Sequence, residues 1–225
     1  MAIERSTGQT RTERFLAQLC DRTFLKLWCY PNPFKADGKE LCDVMAVFED
    51  HVFLFFDRES RKFDAVDKDV GLTWDRWKRE AIDKQIKTAA GAKSYIERQR
   101  DHVYLDAKRT TPFPLTIPPG ELHIHKIVVA HGAKEACERF SEQNVSGSLG
   151  ISYGETATDI SVPFIVSLDK RDPVHLLDSH NLEIVLAELD TLPDLNDFLN
   201  AKEKAIRDLD FLTYCGEEDL LAHYF

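Results

Sequence analysis

Asp43, Asp57 and Arg58 are residues of this chain whose types and spacing could do chemistry together. Asp43 opens an apolar run that continues through Phe48. Asp57 and Arg58 close a second run that begins at His51. Glu49-Asp50 lies between them as a turn signal, so the pair reads as a β-hairpin. Both runs are apolar at nearly every position, so both faces of each strand are expected to be covered. An antiparallel hairpin sets the entry of its first strand beside the exit of its second. The three charged groups are therefore expected within reach of each other. Charges at one end of a buried hairpin are either a site or a costly accident.

Other residues with chemical potential carry weaker signals. His123 and His125 alternate on an apolar run, share a face and could bind a metal. Two such histidines without a third ligand are more often half-buried or edge residues. Cys42 has no histidine tied to it by any motif and reads as a small core residue. The chain has no Gly-rich phosphate loop and no Gly-x-Ser-x-Gly elbow, which weakens nucleotide-dependent and serine-hydrolase readings.

The elements that must position these residues belong to a chain of 225 residues, enough for one large domain or a domain with an appendage. With 43% hydrophobic and 30% charged residues, a globular core is expected and disorder is not. No run reaches the apolar length that crosses a bilayer, and residues 1–14 lack the apolar core of a signal peptide. A cytoplasmic protein without membrane attachment is the expectation. Five scattered cysteines without a Cys-x-x-Cys pair read as reduced thiols. A net charge of −10 argues against a broad nucleic-acid-binding surface but leaves room for a local basic groove. An acidic metal site would itself add negative charge.

Residues 12–20 read as a helix with Phe15, Leu16 and Leu19 on one face, Thr12 as its cap and Glu13 in its first turn. Residues 24–30 are β-rich and end at Pro31-Asn32-Pro33. Residues 59–71 read as a polar loop. Residues 73–100 form the strongest helical segment, with a Thr73 start and a Leu72–Trp77 staple. Trp74, Trp77, Ala81 and Gln85 line one stripe, with Ile82, Ile86 and Ala89 beside it. Arg76, Lys78, Arg79, Lys84 and Lys87 make the remainder basic, more often a solvated face than a phosphate groove. Residues 123–130 read as a buried strand and 133–142 as a helix. Residues 144–154 read as a loop or edge strand, 162–168 and 174–177 as short strands, and 182–189, 195–208 and 217–225 as helices. The apolar close of the chain reads as a sequence that continues further or a turn that packs on a partner.

The order helix, strand, hairpin, long helix, strand covers residues 12–130. With Asp43 on the second strand and Asp57-Arg58 ending the third, it resembles the core of the PD-(D/E)XK, restriction-endonuclease-like nucleases. The resemblance is closer to nuclease-related domains, which carry a Glu a few residues before the strand Asp, as Glu40 precedes Asp43. The whole chain also resembles a group of uncharacterised bacterial proteins. That likeness runs through Thr23-Phe24-Leu25-Lys26-Leu27-Trp28-Cys29-Tyr30-Pro31-Asn32, Asp37-Gly38-Lys39-Glu40-Leu41-Cys42-Asp43, Glu188-Leu189-Asp190-Thr191 and Gly216-Glu217-Glu218-Asp219-Leu220-Leu221.

The resemblance implies an α/β fold. A restriction-endonuclease-like core (helix, mixed sheet, helix) is expected over residues 1–132, with a mainly helical extension, residues 133–225, packed on it. It further implies hydrolysis of DNA or RNA phosphodiesters in bacterial defence or repair. Glu13, Glu40 and Asp43 would hold Mg²⁺ or Mn²⁺, and Glu40, Asp43, Asp57 and Arg58 would be catalytic. The third strand departs from the pattern. The acid and lysine positions fall on Phe56 and Arg58, so Asp57 points the other way unless a bulge turns it inward. Arg58 keeps the charge and suits phosphate, but does not readily give up a proton at neutral pH. These departures support an alternative: a catalytically inactive module of the same kind that binds nucleic acid or a protein partner, a second copy included, or serves as a structural domain of a longer chain. Residue by residue, the ordinary readings also stand. Asp43 would be a turn or cap residue, Glu40 a solvent-facing acid, and Asp57 and Arg58 strand-end charges in water.

Overall fold

The computed structural model describes residues 6–57, 69–140, 149–155 and 162–224. Helix α1 (Arg11–Thr23) is set by a capping box. The Thr10 hydroxyl accepts from the Glu13 N–H, and the Glu13 carboxylate accepts from the Thr10 N–H. Thr10, not Thr12, is the cap, because only Thr10 has a glutamate three residues on. The β-rich stretch that follows splits into one helical turn, α2 (Leu25–Trp28), and a short strand, β1 (Cys29–Pro31). The hairpin forms as expected. Strand β2 (Val44–Phe48) pairs antiparallel with β3 (His51–Asp57) around a turn in which Glu49 takes a φ of 52°.

Asp69, not Thr73, caps the long helix. Its carboxylate accepts from the Leu72 N–H, so the helix starts at Val70. Leu72 then falls on the outer face, 63% exposed, and staples nothing. The helix runs as α3 (Val70–Lys78), a π turn over Arg79–Asp83 and α4 (Lys84–Gln99). Its expected stripe of Trp74, Trp77, Ala81 and Gln85 is buried. Strand β4 (His123–Ala130) returns parallel to β3. The rest of the chain forms α5 (Ala133–Phe140), β5 (Gly150–Gly154), β6 (Ile165–Asp169), β7 (His175–Asp178), α6 (Ser179–Glu188), α7 (Leu192–Asp208), β8 (Leu212–Cys215) and α8 (Glu217–Tyr224).

The main sheet has the order β1-β2-β3-β4-β7, with β3, β4 and β7 parallel. A smaller sheet has the order β6-β5-β8. Strand β5 is thus central, neither loop nor edge, because Ile151 and Tyr153 alternate into the core. Strand alternation splits the core into two layers. Val44, Ala46, Phe53, Phe55, Ile127, Val129 and Leu177 pack on the side of α1, α6 and α7. Met45, Val47, Val52, Leu54, Phe56, Val128, Ala130 and Leu176 pack on the side of α3, α4 and the smaller sheet. The fold is α/β, as expected. None of the five cysteines is joined in a disulfide. Among the described residues no helix is long and apolar enough to cross a membrane.

The described residues of 133–225 contribute four helices and four strands, and β7 hydrogen-bonds to β4 as an edge of the main sheet. A fragment of residues 163–225 loses that neighbour and keeps only a small core. It is expected to show no cooperative melting by circular dichroism. A soluble fragment with a sharp transition would place a folding boundary inside the extension.

Candidate functional site

The hairpin register pairs Val44 with Phe55 and so brings Asp43 to the exit of β3. There the Asp57 N–H donates to Asp43 Oδ2 at 2.6 Å, and the Asp43 N–H donates to the Phe55 carbonyl at 3.0 Å. Asn32 holds the neighbouring loop in place. Its φ of 49° lies in the left-handed region that asparagine tolerates. Its N–H donates to the Asp43 carbonyl, 2.8 Å, and its side-chain amide reaches two acids. It donates to Glu40 Oε1 at 2.5 Å and to Glu13 Oε2 at 3.2 Å. An amide from the β1 end thus ties the helix acid to the loop acid. From the other face of the sheet, α4 supplies Gln85 and Thr88. These residues line a cleft of about 410 Å³ with Thr10, Glu13, Glu40, Asp43, Phe56 and Asp57.

The cleft lies beyond the carboxyl end of β3, where α1 and α4 approach from opposite faces. Open α/β sheets place ligands at such ends. Asp57 does not face water: its side chain is 1% exposed. No bulge turns it; the β3–β4 register runs unbroken to Asp57 opposite Val129. At the end of the sheet the parallel neighbour supplies a partner instead. His131, the first residue after β4, meets Asp57 Oδ1 through its Nε2. Phe56, at the position where the resemblance puts an acid, packs with the α4 side of the core. Arg58 lies outside the described residues, as do residues 59–68 of the expected polar loop.

The electrostatics follow from burial and crowding. Burial, with the charges of Glu40, Glu13 and Asp57, pushes the Asp43 carboxyl up to about 8, against the hydrogen bond from the Asp57 N–H. Glu40 is also raised, by burial first and by Glu13, with the Asn32 hydrogen bond opposing. Glu40 is therefore half-buried rather than solvent-facing. Cys42 is raised by burial and by the same acids, which keeps it a thiol and leaves it in the core. The Gln85 amide donates to the Ala81 carbonyl at 2.6 Å and the Val129 carbonyl at 3.3 Å. Its Oε1 is buried beside the acids without a partner among the described residues.

The cleft offers oxygen donors, carboxylates and an orphaned amide oxygen, the ligand type that hard divalent cations take, but no three of its acids bring ligand atoms within 4.8 Å of one another. Glu13, Glu40, Asp43 and Asp57, four of the residues singled out from the sequence, line this cleft, with the Asp57 carboxylate turned to His131. Asn32, Gln85 and His131 were not anticipated as site residues. Gln85 left a signal, a polar residue on an otherwise apolar helix stripe. The basic surface of the helix is a solvated face: Lys84 pairs with Glu80 at 2.5 Å and Lys78 with Asp83 at 3.3 Å. Of the two alternating histidines, His123 is exposed, and His125 is buried at the opposite end of the sheet.

Comparison of the chain with family models, curated proteins and solved structures found no match in any of the three.

Proposed function

We propose that this protein is a divalent-cation-dependent hydrolase of DNA or RNA phosphodiesters, with the acid cleft as its active site. The observation that carries the reading is that Glu13, Glu40, Asp43 and Asp57 line one cleft, with Asp43 pushed up to about 8. Like charges are crowded there in a way a cation would relieve. Asp43 and Glu40 would hold the ion, with Glu13 through the oxygen that does not cap α1, and Gln85 Oε1 nearby. Mg²⁺ bound there would supply Lewis-acid activation of water and neutralisation of the phosphate charge. Asp57 accepts from His131 and so fixes an imidazole beside the acids. In place of the lysine of the resembled motif, that imidazole is the proton acceptor the arrangement offers.

Purified protein is mixed with plasmid DNA, linear DNA and RNA in Mg²⁺ or Mn²⁺, beside Asp43→Ala. Metal-dependent cleavage by the unaltered protein alone is the expected result. No cleavage, or equal cleavage by both proteins, overturns the reading. A second reading, a non-catalytic nucleic-acid or protein-binding module, draws on Glu13 and Asn32. Glu13 Oε2 already accepts from Gln9, Thr10 and Asn32, so it has a structural role without a cation.

Arg58 follows Asp57 directly and carries a charge that suits phosphate. Arg58→Ala is expected to slow cleavage on the order of 10²–10³-fold, the cost of losing one donor to the developing charge. It should also weaken nucleic-acid binding, with a shallower salt dependence. Arg58→Lys should retain more activity. Unchanged cleavage and binding by Arg58→Ala would make the residue a solvated strand end.

A further inference from the structure

We propose that His125, His175 and Glu203 form a second cation site, for a zinc-type ion, at the amino ends of β4 and β7. It lies at the opposite end of the main sheet from the acid cleft and stands independently of it. Alternation puts His125 and His175 on the sheet face covered by α7, and α7 brings Glu203 between them. Glu203 Oε1 lies 2.8 Å from His125 Nδ1 and 3.1 Å from His175 Nε2. One donor atom from each of the three residues falls within 4.8 Å of the others. Neighbouring ligands of a tetrahedral Zn²⁺ sit about 3.4 Å apart, given bond lengths near 2.0–2.1 Å. A small outward shift of Glu203, the least buried of the three, would open the space.

The donor chemistry separates this site from the acid cleft. Two imidazoles and one carboxylate suit Zn²⁺ and its neighbours in the transition series, whereas an all-oxygen set suits Mg²⁺. An outer shell is also present. His51 Nδ1 lies 3.0 Å from His125 Nε2, and the two rings stack with an interplanar angle of 3°. His51 Nε2 in turn approaches Asp50 at 3.6 Å. Once His125 Nδ1 serves as a ligand, its Nε2–H donates to His51, the support that metal-bound histidines usually have. Glu203 also lines a cleft of about 350 Å³ with His123, Lys93 and Asp172, which gives an ion a way in and a fourth position for water. Without an ion the same groups form a hydrogen-bonded network, and His175 Nδ1 is left buried without a partner among the described residues.

The test is metal binding by EDTA-treated, full-length protein, read by calorimetry with Zn²⁺ and by visible absorption with Co²⁺. One equivalent of Zn²⁺ is expected to bind, raise the melting temperature and displace Co²⁺ from a tetrahedral spectrum. Glu203→Gln should weaken this about 100-fold or more, and His51→Gln, which removes only outer-shell support, about 10- to 100-fold. Far-UV circular dichroism in EDTA should show both variants folded. Asp43→Asn should bind Zn²⁺ as the unaltered protein does. No Zn²⁺ binding, or binding lost in Asp43→Asn and kept in Glu203→Gln, overturns the proposal and leaves a hydrogen-bonded network only.

Discussion

Asp43→Asn is expected to abolish metal-dependent cleavage and, in metal-free protein at pH 9, to raise the melting temperature. The loss of activity follows from removing a central carboxylate of the cation site, on the order of 10³-fold in rate. The gain in stability follows from the same residue. The Asp43 carboxyl has an ordinary value of 3.8 when unfolded and is pushed up to about 8 by burial and the acids around it. Between those values the folded chain holds a proton that the unfolded chain has lost. The unfolded state binds fewer protons, so stability falls as pH rises from about 4 to about 8 and is level above. Asparagine resembles the protonated acid, still accepts from the Asp57 N–H and has no proton to lose. The substitution should therefore remove most of the decline, on the order of a few kcal/mol at about 1.4 kcal/mol per unit. For a chain of this length that corresponds to a rise of roughly 5–10 °C. Added Mg²⁺ should stabilise the unaltered protein more at pH 8.5 than at pH 5, and Asp43→Asn little at either. Thermal melts across pH 4 to 9 decide it. A variant that melts lower at pH 9, or keeps the decline, would mean that Asp43 ionises freely in the fold.

The parts of this architecture written in local pattern were legible. Apolar runs broken by Glu49-Asp50 give the hairpin, and the 3.6-residue stripe from Trp74 to Ala89 gives the long helix. The continuous apolar run from Ile127 to Ala130 gives a buried strand. The helix starts differ because capping depends on a partner three residues on, and in each window one threonine, Thr12 or Thr73, competes with a better cap, Thr10 or Asp69. Strand β8 has four residues between two helices, too short for periodicity to show.

The acid cleft was half legible for a related reason. Asp43 and Asp57 meet because hairpin register is local. Glu40 and Glu13 join them through Asn32, whose left-handed backbone and double donation depend on how β1 returns to α1. The alternation rule assigns Asp57 to the face opposite Phe56. It does not say that the site sits past the strand end, where both layers contribute, or that β4 delivers His131 to Asp57. The histidine cluster is less legible again. His125, His175 and Glu203 come from three elements whose neighbourhood exists only once β7 joins the main sheet.

Breaking the buried Lys202–Glu217 pair is expected to destabilise the protein strongly. Lys202 Nζ lies 2.6 and 2.8 Å from the two Glu217 oxygens, with side chains 0% and 1% exposed. The Tyr214 hydroxyl donates to Glu217 at 3.0 Å, and the ammonium lies 5.7 Å and 5.2 Å from the Tyr153 and Tyr214 ring centres. The pair therefore joins α7, α8 and the smaller sheet at one buried point. Lys202→Met leaves a buried carboxylate without its counter-ion, and Glu217→Gln leaves a buried ammonium. Either should cost about 3–5 kcal/mol, a fall in melting temperature of roughly 10 °C at this length. Lys202→Met with Glu217→Leu should recover much of that loss, because the desolvation of both charges disappears together. Single variants that melt within a degree of the unaltered protein would show that water reaches the pair. The exchange also has a local reporter. The Lys202 charge helps to hold His175 down, so Lys202→Met should raise the His175 pKa in an NMR titration of metal-free protein. A histidine that titrates unchanged would place the ammonium's field elsewhere.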